Sequence, residues 1–509
     1  MIRVFVIMAT LLAGLLNIQA ADGNPDPKRE LRGVWLATVW GIDWPQKQGT
    51  TAAIRKQQQK QLTEILDKAA DMNLNVVCFQ ARPMADALYE STLEPWSSFV
   101  SGKRGSDPGW NPLLWVTEEC HRRGMECYAW INPFRWSSGT RYSTPRDLEW
   151  RKKGWIITQG KNSIFNPALE EVRQHIVGVC REIVTTCPVD GIIFDDYFYP
   201  QGMSRKEDAP DYKNYRESGT AMNISDWRRA NIHKTIADVH AMLSDVRPDV
   251  RFGISPAGVA GTDATSATVY GIEAPEVKAS DWQWNDIYSD PLGWLYQHTV
   301  DFVSPQLYWP VDHPTAPFEP LSKWWSAAAA RHGVHFYSSH TLADYKGKPL
   351  PAQEFSRQVE LTRKASADNA AGFIFYSAKF LNRLDPDLFE TPALTPATPW
   401  KAVTALHAPE KVMRDGENLT WPAVEAPVVS ISSDASSRAI VRYAVYAVPT
   451  KTKERDAADR SSDGIASEYL LGVSYGNCFA LPYNCLKGYR FAVTTLDGYG
   501  IESEPVWTK

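Results

Sequence analysis

The sequence predicts an α/β protein in which a (β/α)8 TIM barrel is followed by a small all-β sandwich of the fibronectin type III or immunoglobulin type. Short apolar runs alternate with amphipathic stretches from Arg32 to about Tyr376, a pattern typical of βα units. Eight such runs occur, and none is followed by a GxGxxG or Walker-type glycine loop, which favours a barrel over a doubly wound sheet. Beyond a proline- and threonine-rich stretch, apolar and polar residues alternate as in antiparallel strands.

The apolar runs define the predicted barrel strands. They are Gly33–Trp40, Val76–Gln80, Cys127–Ile131, Gly191–Asp195, Arg251–Ser255, Phe302–Tyr308, His335–Ser338 and Gly372–Tyr376. Between them, apolar residues recur every three or four positions, as they do in amphipathic helices. Four later runs predict the strands of the sandwich. They are Asn418–Trp421, Ala439–Val448, Tyr469–Val473 and Tyr489–Leu496.

The chain is predicted to divide into a signal peptide at residues 1–20, a barrel at 30–392 and a sandwich at 400–509. A charged start precedes the apolar run from Val4 to Leu16, and Ala20 is the small residue at which cleavage is expected. The run is too short to span a bilayer comfortably, and no cysteine follows it to carry a lipid anchor. We therefore expect an exported protein, periplasmic or secreted, without stable membrane insertion. The segment Thr391–Pro399 is predicted to be a linker.

Charge and cysteine content exclude several classes of function. The formal net charge of −5 and the pI near 6.1 argue against nucleic acid as a partner, because nucleic-acid binders concentrate Lys and Arg on one face. The seven cysteines form no CxxC spacing and no HExxH motif is present, so neither a metal nor a cofactor is expected. The pair Cys478 and Cys485 is the first candidate for a disulfide in an oxidising compartment.

Polar and aromatic residues gather where the predicted strands end, and in TIM barrels these ends carry the active site. A mixture of aromatic, amide, guanidinium and carboxylate groups suits a sugar, whose ring faces stack on aromatic side chains and whose hydroxyls need donors and acceptors. For any single tryptophan, a place in the core is an equally good interpretation. The predicted substrate-binding residues are Trp40, Asp43, Trp44, Gln80, Arg82, Trp130, Asn132, Arg135, Tyr197, Gln306, Tyr308 and Trp309.

Asp195 and Asp196 are the predicted catalytic residues. Two adjacent carboxylates at the end of an apolar strand are costly unless they are hydrogen-bonded or used. Strand alternation places Asp195 on the same side as Ile193, which we take as the barrel interior, and Asp196 at the margin. The alternative is that one of them caps the next segment or pairs with an arginine, Arg82 or Arg135.

Glycoside hydrolysis normally needs two carboxyl groups, and the sequence leaves the second one open. The candidates are Asp196, Asp43, Glu276, Asp281 and Asp290, and a surface or capping role is the favoured interpretation for the last four. Gln306 and Tyr308 are neutral and better suited to orienting a substrate than to transferring protons.

Six motifs in the same order resemble the glycosyl hydrolase-like 10 family, over roughly residues 30 to 380. The stretches that carry the resemblance are Glu30 through Pro45, Phe79 through Pro83, Ala129 through Arg135, Asp190 through Pro200, Phe252 through Pro256 and Asp301 through Trp309. The resemblance implies an exported bacterial glycosidase barrel, with peptidoglycan glycan strands lacking stem peptides as a suggested substrate. After Pro256 the residues from Ala257 to Ala260 are smaller than the family often has there.

The expected function is thus a glycoside hydrolase acting on a cell-wall or other bacterial polysaccharide or oligosaccharide. The main alternative is a noncatalytic carbohydrate-binding protein, because the same aromatic rim would serve binding alone. A polysaccharide lyase or deacetylase would need a basic residue or a metal cluster at the rim, and no clustered histidines are visible in the sequence.

Overall fold

A computed structural model of the chain describes residues 26–262, 264–366, 372–402, 406–426, 440–452, 457 and 464–508, without the side chains of 264–266. The predicted signal peptide therefore lies outside the described residues, as does Ala439. None of the helices in the described part combines the length and apolar character that crossing a membrane requires.

The centre of the fold is a parallel barrel. Its nine segments follow the order β10-β9-β8-β7-β3-β2-β1-β12-β11, and β10 and β11 are consecutive pieces of one extended stretch on either side of Tyr337. The two ends of the sheet therefore meet, which closes an eight-stranded barrel. Three shorter strands, β4 to β6, form a separate antiparallel sheet after β3. The strands of this part are β1 (Leu31–Leu36), β2 (Val76–Arg82), β3 (Glu126–Ile131), β4 (Arg135–Ser138), β5 (Ile156–Gln159), β6 (Asn162–Phe165), β7 (Gly191–Asp195), β8 (Arg251–Ser255), β9 (Phe302–Val303), β10 (His335–Phe336), β11 (Ser338–Thr341) and β12 (Gly372–Tyr376).

Helices cover the outside of the barrel with their apolar faces. The predicted amphipathic pattern is confirmed in α1, where Leu62, Leu66 and Ala69 are buried against the sheet. The helices are α1 (Ala52–Asp71), α2 (Ser98–Ser101), α3 (Pro112–Arg122), α4 (Pro145–Lys152), α5 (Glu170–Thr186), α6 (Tyr212–Glu217), α7 (Ile224–Val246), α8 (Ala264–Val269), α9 (Trp282–Asp286), α10 (Pro291–Tyr296), α11 (Phe318–Arg331) and α12 (Ala352–Ala365).

A second apolar cluster fills the barrel interior. Trp35, Trp130 and Ile193 belong to it, and this confirms that the residues of β7 on the side of Ile193 face inward. Gly191 is required on the same face, because a Cβ there would approach the Tyr128 ring to 2.7 Å.

The predicted barrel is confirmed, and the differences lie at strand ends. The first strand ends at Leu36, because the chain turns through a short 3₁₀ helix at Val39–Gly41. The sixth ends at Val303, and the residues after it contact the neighbouring strands through isolated bridges at Gln306 and single hydrogen bonds such as that from Ser304 N–H to the Ile254 carbonyl. The predicted strands extend past these positions because buried loop residues are as apolar as strand residues.

The C-terminal part consists of two antiparallel sheets, as the alternating pattern predicts. One has the order β13-β14-β17 and the other β16-β15-β18-β19. Their assignment to the fibronectin type III type stays a prediction. The strands are β13 (Met413–Asp415), β14 (Asn418–Thr420), β15 (Arg442–Pro449), β16 (Leu470–Ser474), β17 (Cys478–Ala480), β18 (Tyr489–Leu496) and β19 (Val506–Trp507).

The C-terminal sheets are anchored to the barrel end opposite the carboxyl ends of its strands. Arg442 of β15 and Arg251 of β8 both pair with Glu126 of β3, and all three side chains are buried. Burial alone would raise the pKa of Glu126, but the two arginines outweigh it and bring the pKa down to about 2. Thr395, within the segment predicted as a linker, donates to the same carboxylate at 2.6 Å. This segment is therefore part of a packed interface and not a free tether.

We predict that Arg442→Met lowers the free energy of unfolding by about 3 kcal/mol, because it removes one partner from a buried ion cluster. Denaturant unfolding at neutral pH measures the change. The matched control is Arg414→Met, which alters an exposed arginine of the same sheets and should cost less than about 0.5 kcal/mol. Equal losses in the two variants would show that the cluster does not hold the parts together.

Candidate active site

An open cleft of about 370 Å³ lies at the carboxyl ends of the barrel strands. Its floor is formed by the top of the interior cluster, and its walls come from the loops after β1, β7 and β9 together with the inserted sheet β4 to β6. The lining residues are Trp35, Val39, Trp40, Ile42, Gln80, Trp130, Arg135, Ser137, Ser138, Asn162, Ser163, Ile164, Asp195, Tyr197, Tyr199, Pro200, Ser255, Gln306, Tyr308 and Tyr376.

Asp195, the last residue of β7, presents its carboxylate to this cleft from a buried position. Asn132 donates its side-chain amide to Asp195 Oδ2 at 2.9 Å, and Gln306 lies 3.4 Å from Oδ1. Asn132 is in turn held by Gln80, whose amide donates to Asn132 Oδ1 at 2.8 Å. A chain of amides from three strand ends therefore fixes the orientation of the Asp195 carboxylate.

Asp196 lies beside Asp195 with its side chain buried, and it does not line the cleft. Burial and the negative charge of Asp195 raise the pKa of Asp196 well above its usual range, against the weaker opposing effect of Arg135. The backbone N–H of Asp196 donates to Asp195 Oδ1 at 2.9 Å, and Asp196 Oδ1 is buried with no hydrogen-bond partner among the described residues. The raised pKa favours the protonated form of Asp196, and we call these two neighbouring carboxyl groups the dyad.

Aromatic rings surround the dyad. Trp40 projects into the cleft with 61% of its surface exposed, and Trp130 packs edge-on against Trp35 in the floor at 4.9 Å between ring centroids. Tyr308 and Tyr376 stack at 5.9 Å in the opposite wall. The indole nitrogen of Trp130 is buried and has no hydrogen-bond partner among the described residues. Such a donor at the floor of a polar cleft is available to a ligand.

The tyrosines of the cleft remain neutral hydrogen-bond donors at ordinary pH. Burial raises the pKa of Tyr376 to about 12 and that of Tyr308 well above its usual value. The pKa of Tyr197 is also raised, chiefly by the charge of Asp195. The Arg135 guanidinium lies 4.1 Å from the centre of the Tyr197 ring, which pairs these two predicted residues at the edge of the cleft.

Two predicted substrate-binding residues, Trp44 and Arg82, are wrongly assigned, because the structure places them inside the protein. Trp44 is fully buried and donates its indole N–H to the Gln58 carbonyl. Arg82 is fully buried and pairs with Glu94 at 2.6 Å. Arg82 is the last residue of β2 and Trp44 lies in the loop after β1, and both side chains point into the protein instead of the cleft.

Asp43 and Trp309 also lie outside the cleft lining. Asp43 accepts hydrogen bonds from the backbone of Ala37, the hydroxyl of Ser377 and the backbone of Lys379, so it ties the first and last strands together. Burial raises its pKa in spite of these donors. Trp309 is packed against Gly258, where a Cβ would approach its ring to 2.6 Å. The small residues after Pro256 thus let Trp309 turn away from the cleft.

The other candidate carboxylates have the surface and capping roles that the sequence favours for them. Asp281 caps α9 and accepts from the backbone of Gly261. Asp290 caps α10 and pairs with His233 at 2.9 Å. Glu276 is exposed in a loop. Among the described residues that line the cleft, Asp195 is therefore the one carboxylate.

Several lining residues were not predicted. Tyr376 ends the last strand, and applying the strand-end rule to all eight strands would have found it. The inserted sheet contributes Ser137, Ser138, Asn162 and Ser163, whose small polar side chains carry no signal in the sequence. Their position depends on the antiparallel pairing of β4 with β6, a long-range contact.

The seven cysteines are all free, so the predicted pair Cys478 and Cys485 forms no disulfide: Cys478 is exposed and Cys485 is buried. In the part of the chain that the structure covers, no group of three or more His, Cys, Asp or Glu residues is arranged to hold a metal ion.

Residues 30–350 match the family model of the glycosyl hydrolase-like 10 family. The chain belongs to this family. It is 30% identical over 500 residues to "Glycosyl hydrolase YngK" of Bacillus subtilis (strain 168), covering 94% of this chain and 93% of the relative. It is 32% identical over 389 residues to "Glycosyl hydrolase DigH" of Escherichia coli (strain K12), covering 69% of this chain and 84% of the relative. Among solved structures it is similar to the PgaB (BpsB) glycoside hydrolase domain from Bordetella bronchiseptica, with a TM-score of 0.45, 15% identity and coverage of 71% of this chain and 97% of that chain.

We predict that Asp196→Asn stabilises the protein above about pH 4 and that the gain grows with pH. The folded-state pKa of Asp196 is raised above the unfolded value of 3.8, so wild-type stability falls by up to about 1.4 kcal/mol per pH unit once the pH passes that value. Asparagine does not titrate, so the variant does not lose folding stability in this way as the pH rises.

Thermal unfolding of both proteins between about pH 4 and pH 8 measures the difference. The control is Asp415→Asn, at an exposed aspartate of β13, which should follow the wild-type profile. Parallel profiles for wild type and Asp196→Asn would mean that Asp196 is ionised in the folded protein.

Proposed function

We propose that this protein is an exported glycoside hydrolase that cleaves a polysaccharide of the bacterial cell wall, with peptidoglycan glycan strands lacking stem peptides as its substrate. In this proposal residues 1–20 direct export, 30–392 form the catalytic domain and 400–509 form a C-terminal domain that supports it. Asp195 and Asp196 are the catalytic pair. The names of the relatives, both glycosyl hydrolases, support the reaction class.

The observation that carries the proposal is the dyad, in which Asp195 lines an aromatic cleft and Asp196 is buried beside it. A glycosidic oxygen leaves only when it is protonated, and the acid must hold its proton near neutral pH. Asp196 holds a proton because its pKa is raised. Asp195 faces the cleft and connects that proton to a bound sugar. A purely sugar-binding protein gains nothing from the cost of a buried acid.

The aromatic residues account for sugar binding. Trp40 offers an exposed ring face on which a pyranose can stack, at the edge of the cleft. The hydroxyls of Tyr308 and Tyr376 and the free indole N–H of Trp130 supply donors around the sugar bound next to Asp195. Gln306 and Arg135 complete a set of groups that can pair with hydroxyls.

The second catalytic group of an ordinary glycosidase is absent from the described cleft lining, so the proposed mechanism takes its nucleophile from the substrate. A retaining enzyme places its two carboxyl groups about 5–5.5 Å apart and an inverting enzyme about 6.5–9.5 Å apart, both facing the sugar. Asp43 is saturated by three donors and does not face the cleft. A 2-acetamido group can supply the attacking oxygen instead, as in substrate-assisted glycosidases.

The dyad then performs both protein roles. As the acetamido oxygen bonds to the anomeric carbon, the bond from that carbon to the glycosidic oxygen breaks, and the proton of Asp196 passes through Asp195 to the leaving oxygen. The two resulting carboxylates stabilise the positive charge of the cyclised sugar. Water opens this intermediate and its released proton returns to the dyad, which restores the starting state.

We predict that Asp195→Asn lowers kcat on purified peptide-free glycan strands by at least about 1000-fold, because the variant can neither relay a proton nor carry the charge. Its melting temperature should stay within about 2 °C of wild type, since asparagine keeps the shape of the side chain. Reducing-end release measures activity, and isothermal titration measures glycan binding.

The exposed Asp415→Asn variant serves as the control and should keep full activity. A noncatalytic carbohydrate-binding protein would give no reducing ends with either wild type or variant while still binding the glycan. Retention of most activity in a folded Asp195→Asn protein would remove Asp195 from the catalytic role.

A further inference from the structure

A second groove, of about 530 Å³, adjoins the cleft and shares Ser137 and Ser163 with it. It runs over the other part of the inserted sheet, between the loop after β4, the end of α4 and the turn between β5 and β6. A polymer that leaves the cleft across these serines enters this groove. Its lining residues are Trp136, Ser137, Gly139, Thr140, Arg141, Arg151, Ile156, Thr158, Gly160, Lys161 and Ser163.

The charged residues that line the groove are all positive. Arg141, Arg151 and Lys161 line it, and none of its lining residues is acidic. None of the three cations has an ion-pair partner within the described parts of the chain, whereas Lys153, just beyond the groove, pairs with Glu149 at 2.6 Å. The groove lining therefore presents positive charge, and Asp147, outside the lining, acts on Arg151 electrostatically without forming an ion pair with it.

Arg151 is the fixed member of the set. It is half-buried, its guanidinium carbon lies 4.7 Å from the centre of the Trp136 ring, and its Nε is buried without a hydrogen-bond partner. Burial and the like charge of Arg141 lower its pKa from the usual value. An anion in the groove would supply the missing hydrogen bond and relieve the repulsion between the two guanidinium groups.

We propose that this groove is a subsite for a carboxylate-bearing sugar, next to the sugar whose glycosidic bond is cleaved, and that it selects anionic over neutral glycans. The inference rests on the proposed function, because the glycan must pass from the cleft into the groove. Arg151 receives the carboxylate in the fixed geometry of its guanidinium, and Arg141 and Lys161 add charge from the exposed rim.

Two sources supply this chemistry. The lactyl ether of N-acetylmuramic acid carries a free carboxylate only where the stem peptide has been removed, because the peptide converts it to a neutral amide. A uronic acid carries its carboxylate on the ring carbon C5 instead. In the first case the groove would restrict the enzyme to peptide-free strands; in the second it would direct it to an acidic polysaccharide.

The test compares Arg151→Gln with wild type on four glycans: peptide-free muramic acid strands, the same strands with their carboxylates amidated by carbodiimide coupling, a neutral N-acetylglucosamine oligomer and a uronic acid polymer. We expect the variant to raise KM on the free strands about tenfold with little change in kcat, because one charge-assisted hydrogen bond is lost. KM on the amidated and neutral glycans should not change. The control is Lys152→Gln, which removes an exposed charge of α4 outside the groove and should leave KM unchanged on all substrates.

Binding to the Asp195→Asn protein, with and without Arg151→Gln, separates this inference from the proposed function. If the Asp195→Asn protein binds a carboxylated glycan more tightly than a neutral one, and Arg151→Gln removes this difference in affinity, the subsite is supported even if wild type hydrolyses nothing. Preference for the uronic acid polymer over the muramic acid strands identifies the second source. Equal affinity for free and amidated strands, or an equal loss of affinity for both in the variant, overturns the proposal.

Discussion

Two adjacent carboxyl groups at the end of β7 cannot both ionise in a buried site, and the organisation of the cleft depends on this constraint. Asp195 is held by amide donors, whereas Asp196 lies behind it with a raised pKa. A solvent-exposed aspartate would lose its proton near pH 4. The barrel thus favours the protonated form of Asp196 by burying it beside Asp195, which outweighs the opposing charge of Arg135, at some cost in stability.

The surrounding residues hold the Asp195 side chain in position. Arg82 donates to the backbone carbonyl of Asn132 at 2.5 Å and pairs with Glu94 on its other side. Burial of Glu94 would raise its pKa, but Arg82 and His175 lower it to about 2, so the pair stays ionised. Asn132 is in this way fixed for its contact with Asp195. Arg82 therefore positions the residue that orients the Asp195 carboxylate.

The sequence could predict what depends on local periodicity. Eight apolar runs predicted eight strands, and the alternation within Gly191–Asp195 indicated which aspartate faces inward. It could not predict contacts between distant segments. Arg82 ends a strand and Trp44 lies in the loop after one, as rim residues do, and only their contacts with Glu94 and with helix α1 show that they are buried. The serines of the inserted sheet form a cleft wall only because β4 pairs with β6.

The central claim is that the dyad is the whole protein contribution to bond cleavage and that the substrate supplies the nucleophile. The most direct measurement is inhibition by a thiazoline that mimics the cyclised 2-acetamido intermediate, together with mass spectrometry of the protein after reaction with a 2-fluoro glycoside. The account predicts competitive inhibition below the substrate KM and an unmodified chain. A covalent glycosyl adduct on Asp195, with no inhibition by the thiazoline, would contradict it.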